Sequence, residues 1–216
     1  MKGEGKEGNS AGWTVLFDGK SLAGWHPYRR HAKGKAWKVK EGAIHLDKSG
    51  EGSEERADLV TDELFSDFHL RLEWKISESG NSGVLFYVQD DPERYEQTWM
   101  TGPEVQLLDN ERHPDADIPK RRASDLYDLI ESAPSSVNPA GAWNSTEIVS
   151  DKGILEIYLN REKVILTKLW DDNWQQLNST SKFKSIRGFG SYRSGRIALQ
   201  DHGDEVWFRN IIIRKL

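Results

Sequence analysis

The 216-residue chain has no cysteine, which removes disulfides, thiolate metal ligands and a cysteine nucleophile from consideration. No apolar run approaches the ~18 residues of a membrane-spanning helix. The opening MKGEGKEGNS has no apolar stretch of the kind a secretory signal carries, and residues 1–10 read as a flexible tail. Basic clusters are short and isolated, Arg29-Arg30 and Lys120-Arg121-Arg122, and the net charge is −5, so nucleic acid is not an expected partner. The phosphate-binding P-loop is missing, and the strings that spell a dinucleotide fingerprint (GEGKEG, 3–8) and a G-x-S-x-G elbow (GNSAG, 8–12) lie in the charged opening stretch with no strand ahead of them, which argues against serine hydrolysis and nucleotide chemistry. EF-hand and H-E-x-x-H spacings are missing too, although the loop Asp109, Asn110, Glu111, His113, Asp115, Asp117 is acidic.

What the chain does have is a period of two. Phe68, Leu70, Leu72, Trp74 and Ile76 alternate with His69, Arg71, Glu73 and Lys75, as in a half-buried strand. Further strands are expected at 13–17, 36–40, 43–47, 59–61, 84–89, 125–130, 143–149, 155–159, 163–169, 196–200 and 205–214. Asp18-Gly19, Ser49-Gly50, Gly80–Gly83 and Lys152-Gly153 mark turns between them. Only Asp171–Leu177 reads as a helix, entered through Asp171 or Asp172 as its cap. A dozen short strands predict an all-β chain: a two-sheet antiparallel β-sandwich or jelly roll with one short helix, formed by residues 11–216 as a single domain. The nine Trp suit either the core of such a sandwich or stacking on sugar rings.

Two segments put polar side chains where a plain sandwich needs none. In TGPEVQLLDN (Thr101–Asn110), Glu104 and Gln106 share one strand face and Val105 and Leu107 the other. In ALQDHG (Ala198–Gly203), Gln200 and His202 share a face, with Leu199 and Asp201 opposite. Glu104 and His202 are the groups able to move a proton or hold a metal near neutral pH. Asn81 in Asn81-Ser82-Gly83 reads either as hairpin-turn chemistry or as a residue at the edge of a groove.

These segments, in this order, are similar to the 3-keto-disaccharide hydrolase domain family. The resemblance is carried by GWTVLFDGKSLAGW (12–25), DFHLRLEWKISESGNSGVLFYVQ (67–89), TGPEVQLLDN, DLYDLI (125–130), AGAWN (140–144), LWDDNW (169–174), GRIALQDHG and VWFRNIIIRKL. It implies a concanavalin-like jelly roll acting on glycosides oxidised to a ketone at C3, in bacterial proteins that are mostly exported to the periplasm or cell surface. It carries over the positions Glu104, Gln106, Asp109, Tyr127, Gln200, Asp201 and His202. Glu104 and His202 are read as the catalytic residues, the other five as substrate contacts, and Asn81, Tyr87 and Trp143 are further candidate contacts from the same segments. Tyr87 stands where many members carry Arg, and Ser124 where many carry Gly.

A C3 ketone makes the C2 proton acidic and leaves the C1 oxygen β to the carbonyl. Proton abstraction, enolate stabilisation, loss of the C1 oxygen and hydration then follow. On this reading His202 is the base and Glu104 the alternative base or a metal ligand. Gln106 and Gln200 hold hydroxyls and Tyr127 donates a hydrogen bond. A divalent cation (Ca²⁺, Mg²⁺ or Mn²⁺) on Glu104 and His202 would polarise the ketone. The expected partner is a small carbohydrate, and the expected state a monomer or weak homo-oligomer. Two alternatives stay open: a conventional glycoside hydrolase with carboxylates ~5 or ~7–9 Å apart, for which a second acid beside Glu104 is not evident, and a non-catalytic carbohydrate-binding module.

Overall fold

The computed structural model describes residues 12–28, 35–49, 55–134 and 136–216. The expected tail at residues 1–10 lies outside them. Strands β1 (Thr14–Val15), β3 (Trp37–Lys40), β4 (Ala43–Leu46), β6 (Phe68–Ile76), β9 (Asn144–Asp151), β10 (Ile154–Leu159), β11 (Glu162–Lys168) and β13 (Val206–Lys215) form an antiparallel sheet. Its order is β11-β10-β9-β6-β13-β4-β3, with β1 on β13. A second sheet orders β2 (Trp25–Pro27), β5 (Leu59–Thr61), β12 (Arg196–Leu199), β7 (Asn81–Val88) and β8 (Glu104–Leu108) as β2-β5-β12-β7-β8. The two sheets enclose one apolar core. Phe68, Leu70, Leu72, Trp74 and Ile76 enter it from β6, and Val84, Phe86, Val105, Leu107, Ile197 and Leu199 from the smaller sheet. The fold is thus the expected antiparallel β-sandwich with one α-helix.

That helix, α1 (Asp172–Thr180), starts where Asp171 accepts the Trp174 N–H at 2.9 Å. It is anchored by the buried Trp174, whose indole donates to Gly190 O at 2.8 Å.

Three local expectations need correction. Asn81-Ser82-Gly83 is not a turn; the turn is Ser77–Gly80, and β7 already begins at Asn81. Residues 125–130 are not a strand. Left-handed backbone at Ser124 (φ 74°) and Asp128 (φ 61°) breaks the extended run. The segment instead covers the free edge of β8, with Gln106 N donating to Asp125 O at 3.0 Å and Tyr127 N to Glu104 O at 2.9 Å. The left-handed backbone at Ser124 also gives a reason for the Gly that many members of the resembled family carry there.

Tyr87 supplies the third correction. Two residues of β7, Phe86 and Tyr87, stand against one of β12 where Arg196 pairs with Val88 and Ala198 with Leu85. Tyr87 has φ 59° in this β-bulge. The extra residue resets the alternation, so Phe86 and Tyr87 both enter the core. The Tyr87 hydroxyl donates to Ser66 O at 2.5 Å and lies 2.7 Å from Ser150 Oγ on the opposite sheet. It ties the sheets together from inside the core and lies away from the open face of the smaller sheet.

Candidate functional site

The open face of the smaller sheet is built in cross-strand rows. Val60, Ala198, Leu85 and Glu104 are register partners in one row. Their apolar members join Tyr28 and Val88 in a second small core that floors this face. In the next row Gln200 N donates to Gly83 O at 2.9 Å, and Gly83 pairs with Gln106. A Cβ at Gly83 would lie 2.1 Å from Glu104 Oε1, so a side chain here would displace the Glu104 carboxyl. The Glu104 carboxyl therefore leans across Gly83 toward Gln200.

Above these rows lies a small open cleft of about 120 Å³. Asn81, Glu104, Gln106, Gln200 and His202 come from β7, β8 and the end of β12. Tyr127 comes from the edge-covering segment, Trp99 from the β7–β8 connection, and Lys182 and Phe183 from the chain after α1. The face-sharing read from both starting segments is matched by a cleft that Glu104, Gln106, Gln200 and His202 line together, joined by Asn81 and Tyr127.

Glu104 is 6% exposed, and burial is the main force pushing its carboxyl up to about 8. Negative charge on Asp58 adds to that push, while the Lys182 ammonium and a hydrogen bond from the Gln200 side chain oppose it. Gln106 meets its surroundings best with its amide nitrogen toward Glu104 Oε1 (3.1 Å) and Ser82 O (3.2 Å), and its oxygen toward the Asn81 amide (3.3 Å). Gln200 Oε1 is buried with no hydrogen-bond partner in the protein, an acceptor ready for a hydroxyl. Lys182 Nζ lies 4.0 Å from the Tyr127 ring centre and 5.0 Å from that of Phe183, and desolvation lowers its pKa. His202 is exposed at the rim.

Three of the expected substrate contacts lie elsewhere, besides Tyr87. Asp109 follows the end of β8, where alternation no longer assigns faces. Its buried carboxylate accepts the N–H groups of Ser79 (2.8 Å) and Glu111 (3.1 Å) and holds a turn. Trp143 sits on the outer face of the larger sheet, 3.9 Å from the Arg209 guanidinium and 5.2 Å from Lys75 Nζ. Asp201 is ion-paired to Arg56 and lines a neighbouring groove with Arg56, Asp58, Gln97 and Gly203. That groove meets the cleft at His202.

Sequence reasoning missed Trp99, Lys182, Phe183 and, beside the cleft, Asp58. The last could have been found: Asp58 extends the period-two face of Val60. Its Oδ1 accepts Asp201 N–H at 2.7 Å, its other oxygen accepts the Thr98 hydroxyl, and burial pushes it up to about 6. The proposed cation finds only two ionisable ligands, Glu104 and His202, in the cleft. Among the described residues no three His, Asp or Glu side chains converge as a metal group. These residues do not make a recognisable metal centre, and no step below runs through one.

Chemically, the cleft offers a protonated carboxylic acid at neutral pH, a lysine cation, several amides and three aromatic walls. The 3-keto-alpha-glucoside-1,2-lyase-like domain family matches residues 12–214. A Bacteroides thetaiotaomicron protein named 3-keto-disaccharide hydrolase is 35% identical over 228 residues, covering 95% of this chain and 79% of the relative. A Parabacteroides distasonis crystal structure, described as a candidate glycosyl hydrolase, superposes with a TM-score of 0.84 at 29% identity, covering 95% of this chain and 94% of that one. A carbohydrate-binding module from Bacillus subtilis, CBM66, shares the fold alone, with a TM-score of 0.55 at 12% identity over 89% of this chain and 96% of the module. With the match running through nearly every strand of both sheets, the chain belongs to the 3-keto-alpha-glucoside-1,2-lyase-like domain family.

Proposed function

We propose that the protein cleaves the glycosidic bond of 3-keto-glycosides by elimination and hydration in the Glu104 cleft. The observation that carries this reading is the Glu104 carboxyl itself, buried among amides beside Lys182 and raised to about 8. Such a group still holds its proton at neutral pH and can deliver it to a departing oxygen. The C3 ketone makes the C2 proton acidic. His202, at the rim, removes that proton, and the Lys182 ammonium stabilises the enolate oxygen. The C1–O bond then breaks as C1=C2 forms, and Glu104 protonates the leaving oxygen. In the second half, the Glu104 carboxylate takes a proton from the water that adds to C1, and protonated His202 returns one to C2. The sum is hydrolysis, with both groups restored.

Asn81, Gln106 and Gln200 hold hydroxyls, the orphan Gln200 Oε1 first among them. Trp99, Tyr127 and Phe183 supply ring faces for the sugar. One observation favours a second reading, conventional hydrolysis by two carboxyl groups: Asp58 is a further acid close enough to act on Glu104.

Incubation with a 3-keto-glucoside and with its unoxidised parent, each with and without EDTA, separates these readings. Aglycone release from the ketone alone, unaffected by EDTA, is the expected result. Release from the parent would replace elimination by paired-carboxylate hydrolysis, and release from neither would leave a binding module.

A further inference from the structure

Asp58 stands just ahead of β5 and continues its register. Leu59 pairs with Leu199, so Asp58 faces Gln200 across the strands. Gln200 in turn faces Gly83, and Gly83 faces Gln106. One row therefore runs Asp58, Gln200, Gly83, Gln106. Because Gly83 has no side chain, the Glu104 carboxyl leans into this row from the next one. Two carboxyl groups thus share one sheet face with a single amide, Gln200, between them. Asp58 is fixed at its end of the row by the Thr98 hydroxyl and the Asp201 N–H. No step of the chemistry above uses it.

We propose that Asp58 is a positioning residue whose negative charge, held across Gln200 from Glu104, keeps on Glu104 the proton that is delivered to the leaving oxygen. The inference rests on the proton-donor reading of Glu104. Two carboxylates on one poorly hydrated surface resist ionising together, so the second proton leaves late. Of the other charged or titratable groups around Glu104, Lys182 opposes this effect, Tyr127 is a neutral phenol and His202 lies at the rim. Asp58 itself faces Asp201, whose charge is paired with Arg56. With Asp58 raised to about 6 and Glu104 to about 8, the pair carries one charge and one proton between those values, the proton on Glu104.

The test is a ¹³C NMR titration of side-chain carboxyl groups in glutamate-labelled protein without substrate, with Glu104→Gln to assign the signal. In Asp58→Asn the Glu104 titration is expected ~1 pH unit lower. The alkaline limb of the kcat/KM profile should move the same way, and Asp58→Glu should restore both. An unmoved Glu104 titration in folded Asp58→Asn overturns the proposal. The unsubstituted protein gives a reading that needs no variant: the Glu104 signal should show a minor inflection as Asp58 titrates, and a single smooth step would equally contradict it. Since the titration needs no substrate, failure to turn over 3-keto-glycosides sinks the functional reading without touching this result.

Discussion

Glu104 is where burial and chemistry meet most directly. Its carboxyl has an ordinary value of 4.5 in the unfolded chain and about 8 in the folded one. Between these values the unfolded state has lost the proton and the folded state has kept it, so stability must fall as pH rises from 4.5 to about 8. Glu104→Gln removes that loss while keeping the shape. Thermal melts should find the variant the more stable form above pH 5, with a gap growing to the order of a few kcal/mol near pH 8. The same substitution removes the proposed proton donor and should lower kcat by ~10²–10⁴-fold. A stabilised but inactive variant is the expected signature; a destabilised one would show that Glu104 is ionised in the fold. Lys182→Met should reduce kcat more than it raises KM, because the ammonium is asked to stabilise charge that develops only in the transition state. An effect confined to KM would make Lys182 a simple binding group.

At the scale of elements, the cleft is made by strand register and by one missing side chain. The rows across β5, β12, β7 and β8 bring Gln200 beside Gly83 and Gln106, and Gly83 leaves the volume that the Glu104 carboxyl fills. Gly83→Ala should push that carboxyl out of the row. Because a displacement of ~1 Å can cost ~10²-fold, kcat/KM is expected to drop by at least that factor even in protein that melts cooperatively. Full activity would mean that the position of Glu104 over Gly83 is unimportant. The bulge at Tyr87 works in the opposite sense and removes a residue from the open face. Tyr87→Phe should cost ~1–3 kcal/mol, through the lost bonds to Ser66 O and Ser150 Oγ, and leave activity unchanged. Altered substrate specificity in this variant would contradict its assignment to the core.

Across the whole molecule, the period-two pattern reads the sandwich well because one face of nearly every strand is buried. Alternation likewise placed Glu104, Gln106, Gln200 and His202 together. It failed where the strand geometry ended or broke: at Asp109 past β8, at Tyr87 in the bulge, and at residues 125–130, which hug an edge and are interrupted by left-handed backbone at Asp128. It was silent on Trp99, Lys182 and Phe183, which reach the cleft from connections rather than strands. The tryptophans divide by position in the same way. Trp25, Trp37, Trp74 and Trp174 are core, Trp143 lies under cations on the outer face, and Trp99, 37% exposed, stands in the cleft.

The most direct test of the elimination route is hydrolysis of a 3-keto-glucoside in D₂O, with the sugar product read by mass spectrometry and NMR against an enzyme-free control. One deuterium at C2 in each turnover, above the uncatalysed exchange of the ketone, is the expected result, because the C2 proton leaves to His202 and returns from a solvent-exchanged group. Product that keeps its original C2 proton would contradict the account.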